Sequence, residues 1–487
     1  MKVTIVAYTF SEYLCLSPYY LKGFAETNNT IKSKCDITIM DLNSNQYRDY
    51  STGLLNSDDE EDVFMTAEFS DKSGMSWGNN KRFQLIADLI LDTDPDVLGF
   101  SCFVWNIHFV LRLCKKIKKA NPNITIILGG PEFGYTNDEQ YLKENSEIDY
   151  ICHGEGEQTF QEFLLYLLNK DNMDKVQGLA FLRDGKILRT FPRPVLEDLD
   201  PIPSPYLTGL INLEEEKHRY IPLETYRGCP FKCSFCEYPK DYGHIIHPFS
   251  MKRVEEDLKY ILSNNVERLF LMDATFNLPK KRSKDVVRLI IKHRSSNELI
   301  PDAETRCDLF DEEFMMLMIE AGWKSIEVGV QSVNPLTLKA IDRPQKLENF
   351  MKNCRFWKSN GLNIVTNLIL GLPKETYDTY IDGLNFCVDL HSDRIVTSIL
   401  SVLPNTPLCR DAKKLGIEYS DHAPWTVIQT PDFPKEELEK AWNFYCDFVW
   451  AYNKRPITPV DKDGKIVRTY AYGEFNIGTD TRYPWAR

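Results

Sequence analysis

Val97-Leu98-Gly99-Phe100-Ser101-Cys102-Phe103 is a short apolar run, and its neighbours on the C-terminal side decide the fold. Residues 106–120 continue in a helical pattern, and a second run, Ile124-Thr125-Ile126-Ile127-Leu128, ends at Gly129-Gly130-Pro131. Strand, helix and strand of these lengths form a βαβ unit. The same alternation extends towards the N-terminus through VTIVAYTF (3–10), a helical pattern around Tyr19–Ala25, CDITIMDL (35–42) and a helix over Arg82–Leu91. Residues 43–79 interrupt it, and their run Asp58-Asp59-Glu60-Glu61-Asp62 reads as a surface insertion. Towards the C-terminus come a helix near Asp138–Glu144, the strand IDYIC (148–152) and a helix over Gln158–Leu168. Residues 1–175 are therefore expected to form a doubly wound, Rossmann-like or flavodoxin-like parallel sheet.

Residues 176–206 are expected to hold a small hairpin, turning at Asp184-Gly185, and a linker with prolines at 192, 194, 201, 203 and 205. A second alternating series runs through IPLETYR (221–227), VERLFLMD (266–273), IPDAETR (300–306), WKSIEVGV (323–330), LNIVTNLIL (362–370) and DRIVTSILSVL (393–403). Helical patterns lie between, such as Val254–Ser263, Glu312–Ala321, Leu347–Ser359 and Tyr377–Leu390. Six β/α units suggest a partial α/β barrel over 207–410, with its chemistry at the C-terminal ends of the strands. After Pro404 the pattern lapses. Residues 411–487 read as a small, mainly helical region with one amphipathic helix over 435–453 and a tail rich in Tyr, Gly and charged residues, including Tyr470, Tyr472 and Trp485.

The composition suits this α/β reading. Hydrophobic residues make up 43% and charged residues 26% of 487, and 24 Tyr, 27 Phe and 8 Trp supply bulk for sizeable cores. The 58 basic and 71 acidic residues give a net charge of −13, so a nucleic-acid partner is not expected. No apolar run approaches the ~20 residues that span a bilayer. The expectation is a cytoplasmic protein without membrane partners.

Thirteen cysteines are present. Ten are scattered, and such residues are usually small buried hydrophobes in a reducing compartment. Cys229, Cys233 and Cys236 instead crowd into Tyr226-Arg227-Gly228-Cys229-Pro230-Phe231-Lys232-Cys233-Ser234-Phe235-Cys236, just after the first strand of the second series. Three thiolates at C-x-x-x-C-x-x-C spacing can hold three irons of a 4Fe–4S cube and leave the fourth open, and an open iron can chelate S-adenosylmethionine. Structural zinc needs four ligands; here the fourth would come from His244, His247 or Cys307, and the usual paired C-x-x-C spacing is absent.

At these residues the chain resembles the radical S-adenosylmethionine superfamily, over most of 221–405. The resemblance implies that Cys229, Cys233 and Cys236 hold the cluster. It implies S-adenosylmethionine contacts from Phe235, from Asp273 and Asn277 in LMDATFN, and from Glu304 and Arg306 at the third strand end. Gln331 and Ser332 in VGVQS, and Leu370 in LILGLPKET, complete that set, while Glu327 sits in the same fourth strand and LPNTPL (403–408) resembles the sixth-strand exit. Many relatives place Arg where this chain has His247-Pro248-Phe249-Ser250.

Ligands of a doubly wound domain sit at the carboxyl ends of its strands. The loops there are Ser101–Asn106, Gly129-Gly130-Pro131-Glu132 and Gly154-Glu155-Gly156-Glu157. A dinucleotide reading of the last is weak, because the third glycine is missing and two glutamates would oppose a pyrophosphate. In their order, SCFVWN, GGPE, GEGE, the hairpin and PIPSPY resemble the cobalamin-binding half of cobalamin-dependent radical enzymes, over about 3–206. That implies cobalamin against Ser101, Cys102, Trp105, Asn106, Gly129, Gly130, Pro131, Glu132, Gly154, Glu155 and Gly156. None of the eight histidines fits the D-x-H-x-x-G pattern: Asn106 and Leu111 fail it around His108, and Ile151 fails it before His153. Cobalamin is therefore expected base-off without a histidine ligand.

Both resemblances together imply methylation of an unactivated carbon in a small-molecule or peptide-derived substrate, through methylcobalamin and a 5′-deoxyadenosyl radical. A non-methylating rearrangement, cyclisation or oxidation with the same cofactors is the alternative. A reductant such as flavodoxin or ferredoxin is implied as partner.

Overall fold

The computed structural model describes residues 1–8, 13–42, 80–169, 172–238, 242–295 and 298–454. The acidic insertion at 43–79 and the aromatic tail beyond 454 lie outside the described residues. The described chain falls into two compact units, residues up to 228 with 242–268, and residues 229–238 with 269–454.

The first unit is built on β1 (Lys2–Ala7), α1 (Ser17–Ala25), α2 (Asn29–Lys34), β2 (Asp36–Asp41), α3 (Asn80–Asp92) and β3 (Val97–Ser101). It continues with α4 (Ile107–Ala120), β4 (Thr125–Gly129), α5 (Asp138–Glu144), β5 (Tyr150–Cys152), α6 (Gly156–Asn169), β6 (Leu179–Arg183) and β7 (Lys186–Arg189). Seven strands form one sheet in the order β2-β1-β3-β4-β5-β6-β7. The first five are parallel, and β6 and β7 join antiparallel to β5. The order 2-1-3-4-5 is the flavodoxin-like one, which the periodicity alone left open. The hairpin, expected beside the linker, extends this sheet. It turns at Asp184 (φ 51°) and Gly185 (φ 72°), as a two-residue turn between twisted strands requires.

Helices cover the faces. Helix α4 buries Ile107, Val110, Leu113, Cys114 and Ile117 along one stripe, and α6 packs Phe160, Phe163 and Leu164 into the core around Val3, Ile5 and Ile127. Each such side chain contributes up to about 1.5–3 kcal/mol, an upper bound because the unfolded chain also buries surface. The short helix α2 is fixed by Asn28, whose side chain accepts from the N–H groups of Thr30 and Ile31 at 3.0 and 3.4 Å.

The same unit holds α7 (Leu213–Glu216), β8 (Tyr220–Leu223), β9 (Tyr226–Arg227), β10 (His247–Pro248) and α8 (Met251–Ser263). The stretch expected as one strand over 221–227 is thus two. After the break at Glu224-Thr225, β9 pairs antiparallel with β10, and the Phe249 N–H donates to the Thr225 carbonyl at 3.1 Å.

The second unit begins with β11 (Arg268–Leu271), α9 (Lys280–His293), β12 (Ile300–Ala303), α10 (Glu312–Ala321) and β13 (Ser325–Gln331). It continues through α11 (Pro335–Ala340), α12 (Leu347–Ser359), β14 (Asn363–Leu370), α13 (Tyr377–Asp389) and β15 (Arg394–Ile399). Strands β11 and β12 are neighbours in one sheet; β13, β14 and β15 form another, parallel throughout. The expected barrel wall is therefore interrupted between β12 and β13. Alternate residues of β13, β14 and β15 are buried under helices, and the others, Glu327, Asn367 and Arg394 among them, are only partly covered. They form the inner face.

Where the helical pattern lapsed, the chain forms α14 (Pro407–Leu415), capped by Thr406, and the hairpin β16 (Glu418–Tyr419) and β17 (Val427–Gln429). The last helix, α15 (Lys435–Lys454), covers the open edge of β15. Asn453 accepts from the Ile395 N–H at 3.2 Å and donates to the Ile395 carbonyl at 3.1 Å, replacing the missing strand partner.

Candidate functional site

In the second unit, Cys229 and Cys233 are each 7% exposed and Cys236 is half-buried. A turn brings the last two together, with the Cys236 N–H donating to the Cys233 carbonyl at 3.1 Å. Ser234 anchors the loop: its N–H donates to the Ile341 carbonyl at 2.8 Å, and its carbonyl accepts from Leu408 at 2.9 Å. Gly228, at the loop's start, has φ 93°, and a Cβ there would lie 2.0 Å from the Ile245 carbonyl oxygen; only glycine fits. Burial, with the neighbouring Cys233 and Cys229, pushes the Cys236 thiol up to about 12. A bound cation would invert that preference.

Two polar groups face the other sulfurs. The Thr275 hydroxyl lies 3.5 Å from Cys229 Sγ, and Arg343 Nη1 donates to Cys233 Sγ at 3.6 Å. Three soft thiolates approached by a hydroxyl and a guanidinium fit an anionic iron–sulfur cluster. Among the described residues, no three His, Cys, Asp or Glu side chains converge as ligands of a single metal ion. A four-iron cube holds its thiolates on separate corners, further apart than ligands of one ion. Cys307, a possible fourth zinc ligand, is instead buried with its sulfur 3.8 Å from that of Cys354.

The remaining residues expected at S-adenosylmethionine occupy strand ends of this unit. Phe235 is half-buried, and Asp273 and Asn277 are fully buried. Asn277 accepts from the Arg306 N–H at 3.0 Å and donates to the Arg306 carbonyl at 2.7 Å, so its amide locks two strand ends together. Arg306, 4% exposed, lies over the Phe231 ring at 4.4 Å, grips Asp308 with two bonds of 2.9 Å and donates to the Pro344 carbonyl at 2.6 Å. Its Nη1 has no partner.

Glu304 reaches the inner face, open to solvent yet enclosed by protein. Enclosure, then the charges of Glu327 and Asp302, push its carboxyl up to about 8. Gln331 has φ 62° at a bulge in β13, and its amide folds over Gly329, where a Cβ would lie 2.7 Å from Nε2. The Ser332 hydroxyl donates to Glu375 Oε1 at 2.7 Å; Leu370 is fully buried, followed by Gly371 at φ 90°. Burial pushes the Glu375 carboxyl up to about 8.

In the first unit, the three loops expected at cobalamin do lie at the carboxyl ends of β3, β4 and β5. Several of their polar side chains are committed to the fold. Asn106 accepts from the Phe103 N–H at 2.7 Å and donates to the Ser101 carbonyl at 3.0 Å, stapling its own loop. Glu132 turns inward and accepts from the Tyr141 hydroxyl at 2.7 Å. Glu155 accepts from Arg227 Nη1 at 2.7 Å and from the Leu196 N–H at 2.5 Å, while Glu157 accepts from Arg227 Nη2 at 2.7 Å. Ser101 shares a hydrogen bond with Ser17 at 3.1 Å, and Cys102 is fully buried.

What stays accessible is flat. Trp105 stacks on Phe103 with centroids 5.2 Å apart, and Gly130 and Gly154 are exposed backbone at φ 112° and φ 67°. A Cβ at Gly130 would collide with the Cys102 carbonyl at 2.4 Å, whereas a Cβ at Gly154 meets nothing within 4 Å. An indole beside side-chain-free backbone suits a broad, flat ligand such as a corrin. His153 is held by Asp138 at 3.1 Å and stacked under Tyr135.

Sequence reasoning missed Thr275, Arg343 and Glu375. Thr275 lies inside the quoted LMDATFN motif and was within reach of the reading. Arg343 is 110 residues from the sulfur it touches, and no spacing signal links them.

A family model described as the radical SAM superfamily matches residues 223–387, and one described as a B12 binding domain matches 74–164. An uncharacterized methyltransferase, PH0819, of Pyrococcus horikoshii is 29% identical over 333 residues, covering 67% of this chain and 71% of that protein. The cobalamin-dependent radical SAM methyltransferase TokK of Streptomyces tokunonensis is 29% identical over 374 residues, covering 73% of this chain and 54% of TokK. This chain thus spans only about half the length of TokK. Among solved structures, the radical S-adenosylmethionine methyltransferase TsrM of Kitasatospora setae, with cobalamin and a 4Fe–4S cluster bound, matches with a TM-score of 0.65. It covers 96% of this chain and 93% of that one at 17% identity, a likeness of fold. A cluster-type cysteine loop lies inside the first family match and a flavodoxin-like rim inside the second, so the chain carries a radical SAM match and a B12-binding match in one sequence and is similar to the cobalamin-dependent radical S-adenosylmethionine enzymes.

Proposed function

We propose that this chain methylates an unactivated carbon of a small-molecule or peptide-derived substrate, with a flavodoxin- or ferredoxin-like protein as electron source. The observation that carries the reading is the thiol loop of Cys229, Cys233 and Cys236, with a hydroxyl and a guanidinium against two of its sulfurs, in a chain that also matches a B12 binding domain. When bound, the cluster would supply one electron to S-adenosylmethionine and cobalamin would carry the methyl group.

The chain's own residues then bind, orient and exclude water. Arg306, with Nη1 unpartnered, offers a hydrogen-bond donor to a carboxylate. Glu304, its carboxyl raised by enclosure and by the neighbouring Glu327, is placed to donate as well as accept towards a hydroxylated ligand. Phe235, Asp273, Asn277, Gln331, Ser332 and Leu370 surround the same strand ends and are assigned to S-adenosylmethionine with them. Trp105 and the backbone at Gly130 and Gly154 are assigned to the corrin, with Ser101, Cys102, Asn106, Gly129, Pro131, Glu132, Glu155 and Gly156 shaping the rim. Because none of the eight histidines fits the D-x-H-x-x-G pattern, cobalamin is assigned without a histidine ligand. No described helix is long and apolar enough to cross a membrane.

The test is anaerobic reconstitution followed by dithionite and S-adenosylmethionine. The expected protein is brown, with about four irons per chain, as a 4Fe–4S centre requires. Replacing Cys229, Cys233 and Cys236 together by Ala should remove iron and 5′-deoxyadenosine formation while cobalamin binding persists. If the triple variant still cleaves S-adenosylmethionine reductively, the cluster assignment fails. S-adenosylhomocysteine formed alongside 5′-deoxyadenosine supports methylation; 5′-deoxyadenosine alone during substrate turnover refutes it.

A further inference from the structure

Arg343 is a buried cation with an unusual set of partners. It is 8% exposed, and among the described residues no carboxylate forms an ion pair with it. Its fork is spent on three acceptors: Nε on Gln345 Oε1 at 3.2 Å, Nη2 on the Gly329 carbonyl at 2.6 Å and Nη1 on Cys233 Sγ at 3.6 Å. Gln345 is locked in turn, its Nε2 donating to the Val330 and Ser332 carbonyls at 2.9 Å each. The fork is therefore aimed. Gly329 is part of that aim, since a Cβ there would lie 3.3 Å from Nη2.

Burying a guanidinium without an anion is costly, and natural proteins pair such groups or let them meet another negative charge. Here the nearest group able to carry one is the Cys233 sulfur. Arg306, the neighbouring arginine, differs: its charge is met by Asp308 in a two-bond pair. One arginine is neutralised by a carboxylate, and the other is left for the thiolate.

We infer that Arg343 tunes the iron–sulfur centre, donating a charged hydrogen bond to the Cys233 thiolate and so favouring the reduced, more negative cluster. The inference rests on the reading of Cys229, Cys233 and Cys236 as cluster ligands. Hydrogen bonds to ligand sulfurs and nearby charge are among the levers that set cluster potentials. Arg343 is a positioning and tuning residue, not a ligand.

The test compares the full chain, reconstituted anaerobically, as wild type, Arg343→Lys, Arg343→Gln and Gly329→Ala. Iron content is measured first, and the cluster is then titrated by electron paramagnetic resonance against solution potential. Arg343→Gln should lower the reduced-to-oxidised ratio at fixed potential about tenfold, which is 59 mV for a one-electron couple. Arg343→Lys, which keeps the charge, should recover most of that loss, and the g-values should change in the glutamine variant. Full iron in wild type and glutamine variant with superimposable titrations overturns the inference and leaves the cluster reading intact. Wild-type protein that takes up no iron overturns both. If the glutamine variant holds no cluster, Gly329→Ala decides, because its methyl group would press on the fork, 3.3 Å from Nη2, as well as on the Gln331 amide at 2.7 Å, without removing the charge: a lowered potential supports the inference, and a wild-type potential overturns it.

Discussion

Arg227, two residues before Cys229, is buried among three carboxylates, and replacing it by Met tests how that ion cluster holds the first unit. Arg227 donates to Glu155 and Glu157 at 2.7 Å each and to Glu224 at 3.1 Å, and its guanidinium lies 5.7 Å above the Tyr20 ring. Methionine keeps the stem's apolar packing and removes the only cation at these distances among the described residues, so three buried carboxylates lose their counter-charge. Breaking a buried ion pair from one side costs about 3–5 kcal/mol. At roughly 2–4 °C per kcal/mol for a body of this size, the first unit should melt roughly 6–20 °C lower.

The loss should depend on pH. Burial, outweighing Arg227, already holds the Glu224 carboxyl above its usual range. A carboxyl raised in the folded state binds its proton more tightly folded than unfolded. Its charged form therefore weakens folding as pH rises through the ordinary carboxylate range. Removing Arg227 enlarges that effect, so the deficit should be largest near neutrality and narrow towards about pH 5. Thermal unfolding of cofactor-free protein, followed by circular dichroism at both pH values, measures it. A deficit below about 1 kcal/mol, the value of an exposed pair, or one that widens on acidification, refutes the reasoning.

Two further outcomes are expected. Gly130→Ala puts a methyl group 2.4 Å from the Cys102 carbonyl at φ 112°, so the loop must move, at a cost of at least about 1–2 kcal/mol; cobalamin affinity measured by spectral titration should fall, and unchanged affinity would remove this rim from the binding surface. Electron paramagnetic resonance of bound cob(II)alamin should show no triplet superhyperfine splitting, since no histidine fits the D-x-H-x-x-G pattern; a triplet from one axial nitrogen would contradict a histidine-free site.

The sequence alone determined the features that depend on near neighbours. Period-two and helical patterns placed the strands of both alternating series and most of the longer helices between them. The turn at Asp184-Gly185 and the three cysteines within eight residues were legible because turn chemistry and chelate spacing are local properties. The glycine-rich strand ends were legible for the same reason.

Only the tertiary structure decided the 2-1-3-4-5 strand order, the hairpin's addition to the sheet and the interruption between β12 and β13. Order and register are choices among equally apolar partners, and periodicity does not rank them. It also decided what the polar residues do. Glu155 and Glu132 read as rim groups in the sequence, yet one carboxylate holds Arg227 and the other Tyr141. Arg343 read as nothing at all, because its bond to Cys233 joins residues 110 apart. A side chain's charge is written in the sequence, whereas its partner is fixed by the path of the backbone between them.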